Sequence, residues 1–220
     1  TSVVLTDTSD GQVIRFAGNL TTPLLTTYAQ PYVLELLGGT TSITGAGVTN
    51  FANTGALKLG QLVDDTLSFT GGVTATAPSS ISAAGHISTS GSGALTLGDS
   101  NTGVTLTKDV WLTTAGGALH VGGWVEGVDA GVNAQSLTLN ATSAGAVNVD
   151  GTVGMTTPLK ILTLTNSNGA TFSSAVTTGT SVVLTDTTDG QVIRFAGNLS
   201  TPALTTFAQP YVLELLGANT

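Results

Sequence analysis

The residues best suited to chemistry in this sequence are its 13 acidic side chains, and their spacing does not gather them into a pair. A glycoside hydrolase needs two carboxylates that face one cleft, and a lyase needs a base with cations beside it. Asp64 and Asp65 are adjacent, so in a strand they would point to opposite faces. The basic residues stand singly along the chain: Arg15, Lys58, Lys108, Lys160 and Arg194. The sequence therefore predicts no catalytic site, and we expect a protein that is not an enzyme.

Metal-ligand patterns are equally sparse. His86 and His120 are far apart in the sequence and the chain has no cysteine, so neither histidine has a histidine or cysteine partner at ligand spacing. The turns "DTSDG" at 7–11 and "DTTDG" at 186–190 each offer two carboxylates, whereas Ca²⁺ takes six to eight oxygens. Aspartate also readily bonds its own backbone in such turns. We expect no cofactor, with bound calcium as the weaker alternative.

Aromatic side chains could offer a flat surface to a sugar ring, and four of them are candidates: Tyr28, Tyr32, Trp111 and Trp124. Packing at corners or inside the protein explains such residues equally well. A carbohydrate-binding role is therefore an alternative and not the main hypothesis.

The most specific feature is a long internal repeat. Residues 1–41 align without a gap on residues 180–220, an offset of 179 positions, and only six pairs differ. The decapeptide "GQVIRFAGNL" occurs unchanged in both copies. We interpret residues 1–179 as one full period of a long repeat and residues 180–220 as the start of the next period.

Composition and patterning favour an all-β fold. Only 8% of residues are charged, Gly numbers 29, and Thr and Val are abundant. Short runs alternate between apolar and polar residues and end at Gly, Asn, Asp, Ser or Pro, which is typical of short strands. Similar phrases recur, such as "GALTLG" and "GAVNVDG". The recurrence predicts a parallel β-helix (β-solenoid) with coils of about 20–25 residues, so one period would hold roughly seven to nine coils.

One spacing predicts a contact between coils. Arg15 and Glu35 each stand between two apolar residues of a strand, and the sequence distance between them equals the shortest predicted coil. Their copies Arg194 and Glu214 keep this spacing. In a short coil the two side chains of each pair would stack on the outer surface. We predict two stacked ion pairs, each worth no more than about 1 kcal/mol if exposed; unrelated surface charges are the alternative.

Several classes of partner are disfavoured. The net charge of −8 argues against nucleic acid, which needs basic clusters. No apolar run reaches the roughly 18 residues of a membrane span, so we expect no membrane insertion of this segment. Thr1 opens no signal-peptide pattern, and we expect an internal segment of a longer protein.

Residues 136–176, "SLTLNATSAGAVNVDGTVGMTTPLKILTLTNSNGATFSSAV", resemble the repeats of giant bacterial surface proteins of the filamentous-haemagglutinin-like and autotransporter-passenger-like kind. The phrases that carry the resemblance are "SLTLNA", "GAVNVDGTVG" and "TTPLKILTLTN". The resemblance implies a right-handed β-helix, an extracellular or cell-surface location, and an adhesive or scaffolding task.

Together these features predict a structural extracellular filament or stalk segment whose main partner is itself, by continuation or by end-to-end stacking. A glycan-binding adhesin module is the alternative, and a polysaccharide-degrading β-helix enzyme is less favoured.

Overall fold

The computed structural model describes residues 2–218 and is all-β, with every strand ladder parallel. The chain winds into about nine stacked coils, and each coil contributes strands to three faces in a fixed order. The predicted fold class, an all-β parallel β-helix, is therefore confirmed. Its right-handed sense stays a prediction.

Face 1 begins with Val13–Phe16, and the strands that follow it are Val33–Leu36, Leu57–Leu59, the first parts of Ile81–Thr89 and Val104–Thr114, Val125–Gly127, the first part of Val176–Leu184, and Leu199–Ser200. Between Val125–Gly127 and Val176–Leu184 one coil contributes to face 1 only the isolated bridge residue Val153. Face 2 comprises Leu20–Thr22, Thr40–Ile43, Thr66–Phe69, the second parts of Ile81–Thr89 and Val104–Thr114, Leu137–Asn140, Leu159–Asn166, the second part of Val176–Leu184, and Leu204–Thr206.

Face 3 comprises Val3–Leu5, Leu25–Thr27, Thr49–Asn50, Val73–Ala75, Leu95–Leu97, Leu119–Val121, Val147–Val149, Ala170–Phe172, Val192–Phe195 and Val212–Leu215. Its ladder is interrupted after Leu25–Thr27, where the Thr27 hydroxyl bridges the gap. That hydroxyl donates to the Asn50 carbonyl at 3.0 Å and accepts from the Ala52 N–H at 2.7 Å.

Coil length varies more than the sequence predicts. One of the shortest coils leads from Val13 to its partner Val33, and one of the longest leads from Leu119 to its partner Val147. This long coil carries an enlarged corner with a 3₁₀ turn at Gly131–Asn133. Buried Gln135 holds this corner, because its side-chain oxygen accepts the N–H groups of two corner residues, 128 and 129. The predicted upper limit of coil length was too low for this reason.

Apolar residues of successive coils stack inside the solenoid. Inward-facing residues of a strand pair with inward-facing residues of the next coil, about 4.8 Å away, so each strand adds one layer to a continuous core. One such stack on face 3 consists of Leu97, Val121, Val149, Phe172 and Phe195. The rings of Phe172 and Phe195 lie parallel with centroids 4.7 Å apart.

Some corners are tight enough for a strand to continue around them. The strand Ile81–Thr89 bends from face 1 to face 2 at Gly85, which has φ +76°. A Cβ atom there would lie 2.4 Å from the Asp65 carbonyl oxygen of the preceding coil. Only glycine fits both the dihedral angle and the close approach.

Candidate functional site

The most extensive charged arrangement on the surface is a ladder of three side chains on face 1. Arg15, Glu35 and Lys58 occupy matched outward positions on three successive strands. The Arg15 Nε donates to Glu35 Oε2, and the Lys58 Nζ lies 2.6 Å from Glu35 Oε1. Each carboxylate oxygen therefore has its own cation, one from the coil on either side.

This arrangement buries Glu35, which was predicted to lie on an exposed surface. The residue is only 1% exposed, and its two carboxylate oxygens are bonded to Arg15 of one neighbouring coil and to Lys58 of the other. Burial raises the pKa of the Glu35 carboxyl, but the bonds from Arg15 and Lys58 outweigh burial and hold this pKa below its ordinary value. Glu35 is thus an ionised, paired group between coils.

The second copy of the repeat contains the same pair without the third member. The Arg194 Nε donates to Glu214 Oε2 at 2.6 Å, at matched positions on two strands of face 3. In the part of the chain that the structure describes, no second cation contacts Glu214. The structure therefore brings together both residue pairs that the sequence singled out, in two different surroundings.

Lys58 is the member that sequence reasoning missed. It stands between Leu57 and Leu59, so its outward phase is visible in the sequence. It also follows Glu35 by one coil, at a spacing within the predicted range of coil lengths. The one-coil spacing between Glu35 and Lys58 is therefore the signal that could have identified it.

The carboxylates that could have formed a catalytic pair are instead bonded to backbone amides at corners. Glu126 accepts the N–H groups of three successive residues, 155–157, at 2.7–3.2 Å. Asp65 accepts two N–H groups in the corner at 61–65, and Asp109 accepts that of Ser136 at 2.8 Å. Asp64 is exposed in a turn, beside buried Asp65. These acids shape corners at separate places.

The histidines and the aspartate turns show similar local roles. His86 stacks on Trp111 with ring centroids 4.3 Å apart, and His120 Nε2 lies 2.8 Å from Asp150 Oδ2. In the turn at 186–190, the side chain of the first aspartate accepts the N–H of Thr187 at 2.8 Å. Within residues 2–218 no group of three or more histidine, aspartate or glutamate side chains is placed to hold a metal ion.

The four aromatic candidates do not converge on one groove. Tyr32 is buried and donates its hydroxyl to the Leu5 carbonyl at 3.3 Å, while Tyr28 is exposed at the same corner. Trp111 lies on the outside of face 2, and Trp124 lies at the corner between faces 3 and 1. Of the four, Trp124 borders a cleft of about 340 Å³, together with carboxylate, hydroxyl and glycine groups of neighbouring coils.

Two other clefts are also shallow. One of about 310 Å³ lies between the corners at 60–65 and 128–136 and is lined by Lys108, Asp109 and Asp129 among others. Another, of about 440 Å³, is lined by small residues between 46 and 94.

Comparison with known proteins found no matching family model, no similar curated protein and no similar solved structure. Among the described residues no helix is long and apolar enough to cross a membrane.

Proposed function

We propose that this chain is a structural, non-enzymatic segment of an extracellular filament or stalk, and that its task is to form a stiff scaffold. The observation that carries the proposal is the continuous stack of coils, with one core running through all of them. A rod of this kind resists bending because each coil is hydrogen-bonded to its neighbours on several faces.

The distribution of polar groups supports a mechanical role. Charged side chains join coils, as in the Arg15–Glu35–Lys58 ladder, or shape corners, as Glu126 does. These carboxylates are already bonded to backbone amides or to cations, and they lie at separate places in the fold. An enzyme that cleaves polysaccharides would need two of them free and facing one cleft.

The extracellular location depends on the resemblance of residues 136–176 to repetitive bacterial surface proteins. The low charge and the abundance of Thr and Gly agree with such a protein. The absence of cysteine is compatible with any redox compartment.

Microscopy of native material tests this proposal. An antibody against the chain, applied to intact source cells, should label fibres or stalks at the surface in electron micrographs. Label confined to the cell interior, or compact monodisperse particles in the native extract, would contradict it.

A glycan-binding adhesin is the second candidate, and one observation favours it. The Trp124 indole is 41% exposed and lies against Gly103, where an added Cβ would come within 2.4 Å of the ring. A fixed, exposed indole beside the Asp150 carboxylate offers one apolar face and one polar group, as a sugar ring requires.

A glycan array tests the adhesin candidate. If it is right, Trp124→Ala abolishes binding on the array while Trp111→Ala, on another face, retains it. Absence of binding by the unaltered chain would exclude this candidate.

A further inference from the structure

The two copies of the repeat lie on different faces of the solenoid. The strand Val13–Phe16 is on face 1, whereas its copy Val192–Phe195 is on face 3. Every other strand pair of the repeat shows the same displacement by one face: Val3–Leu5 and residues 182–184, Leu20–Thr22 and Leu199–Ser200, Leu25–Thr27 and Leu204–Thr206, Val33–Leu36 and Val212–Leu215. The displacement is therefore a property of the whole repeat and not of one strand.

The number of coils in one repeat explains the displacement. Seven coils lead along face 1 from Val13–Phe16 to the first part of Val176–Leu184, and two further faces lead from there to Val192–Phe195. Because a coil has three faces, one repeat is seven and two thirds coils long. At about 4.8 Å per coil it advances about 37 Å along the rod, and it is turned by one face, about one third of a turn.

The ion pair that both copies contain shows what this turn does to a surface feature. Arg15 and Glu35 form the pair on face 1, whereas Arg194 and Glu214 form it on face 3. In both places the pair joins outward residues of neighbouring strands in the same register. The feature is thus preserved from one copy to the next, and only its direction changes.

The three clefts described above lie at three different corners of the solenoid. The cleft at Trp124 is at the corner between faces 3 and 1, and the cleft beside Lys108 is between faces 1 and 2. The cleft lined by small residues between 46 and 94 is at the corner between faces 2 and 3. Within one period, therefore, each corner carries a different cleft, and each cleft opens in one direction.

We propose that further periods of the same chain continue the turn, so that the filament presents each surface feature in three directions in succession. Equivalent groups then recur about every 37 Å along the rod, a third of a turn apart, and return to the same side after three periods, about 110 Å. The proposal rests on the proposed function as a segment of a filament, whose outer surface it specifies.

This arrangement determines the kind of partner that the filament can bind at several places at once. A flat partner meets a given cleft only once in three periods, so multivalent binding to it needs ligands about 110 Å apart. A partner that surrounds the rod, such as a network of polymer chains, meets the same cleft in every period. The turn therefore favours embedding in a network over attachment along one side.

Disulfide trapping tests the turn within this chain, which contains no cysteine of its own. Outward residues on neighbouring parallel strands lie about 4.8 Å apart, within the Cα distance that a disulfide spans. Arg194 is in register with Thr171 on face 3, so the variant with Thr171→Cys and Arg194→Cys should form an intrachain disulfide on oxidation, measured by mass spectrometry.

The matched control combines Arg194→Cys with Thr177→Cys. Thr177 is an outward residue on face 1, where Arg194 would lie if both copies of the repeat occupied the same face. We expect no disulfide in this variant. A disulfide in the control, or in neither variant, would overturn the turn between the copies.

Antibody fragments test the continuation of the turn in native filaments. The enlarged corner around Gly131–Asn133 is a suitable epitope, because Val132 is 87% exposed. In electron micrographs the bound fragments should project in three directions, about 37 Å apart along the rod and about 110 Å apart on any one side. Fragments spaced about 37 Å apart along a single side would overturn the proposal and leave the structural function standing. Native material without filaments would contradict the proposed function, and the continuation with it, whatever the disulfides show within the chain.

Discussion

The two copies of the repeat have nearly the same sequence but opposite surroundings. In the first copy Val13–Phe16 has a described coil on one side only, so Phe16 is partly exposed. The strand Val33–Leu36 has a coil on both sides, so Leu34 is buried. In the second copy Phe195 is buried and Leu213 is partly exposed. The burial of a residue here depends on whether a coil lies on each side of it and not on its local sequence.

The contrast between the copies shows how stability is distributed in the molecule. Each coil contacts only its neighbours, so a residue contributes according to the number of coils that cover it. Substitutions at equivalent positions of the two copies therefore provide matched pairs, in which sequence context is constant and only the covering coil differs.

The largest difference should come from Phe195 and Phe16. Phe195 is buried and stacks on Phe172, so Phe195→Ala should lower the free energy of unfolding by about 4 kcal/mol. Phe16→Ala should cost about 2 kcal/mol, since this ring is already partly in water. Denaturant unfolding of the two variants measures the difference. Equal losses would mean that the first strand is covered in solution.

The reverse order should hold for Leu34 and Leu213. Leu34 lies between coils on both sides, so Leu34→Ala should cost about 3 kcal/mol. Leu213→Ala should cost about 1 kcal/mol, because this side chain is already partly in water. The same denaturant titration applies. A larger loss at Leu213 than at Leu34 would contradict the difference in burial between the two copies.

Much of the fold could be predicted because it follows from local patterns. Runs such as Leu95–Leu97 and Val147–Val149 alternate large apolar residues and are strands in the structure. The strand Ile81–Thr89 was not predicted, because Ser, Ala and Gly occupy most of its positions. Large apolar residues therefore do not alternate with polar residues along it. Its position is set by pairing with the coils on either side.

That the two copies of the repeat lie on different faces could not be predicted from the sequence. It depends on the summed lengths of all the coils in one repeat, and corners range from a bend at Gly85 to the enlarged corner around Gly131–Asn133. The pairs Arg15–Glu35 and Arg194–Glu214 were visible because a single coil separates their members. That they occupy different faces follows only from the complete winding.

A smaller difference should separate the two glutamates. Glu35→Gln removes a buried carboxylate with two cationic partners and should cost about 2 kcal/mol of unfolding free energy. Glu214→Gln removes one partly exposed pair and should cost less than about 1 kcal/mol. If both variants lose the same amount, Lys58 contributes nothing to the ladder. Lys58→Met, which keeps most of the aliphatic length, would then leave stability unchanged.

The smallest effect concerns pH and can be assigned to Glu35. The pKa of its carboxyl is lowered in the folded protein, because bonds from Arg15 and Lys58 outweigh the burial that raises it. Because this pKa is lower in the folded than in the unfolded chain, the ionised carboxylate stabilises the fold. The stabilisation is complete above the unfolded-state pKa, about 4.3, and is lost as the pH falls through the folded-state pKa. Between about pH 6 and pH 3 the unaltered chain should therefore lose more stability than Glu35→Gln. Other carboxylates titrate in both proteins, so the difference between their unfolding curves isolates this group. Parallel curves across that range would show that Glu35 has the same proton affinity in the folded and unfolded chains.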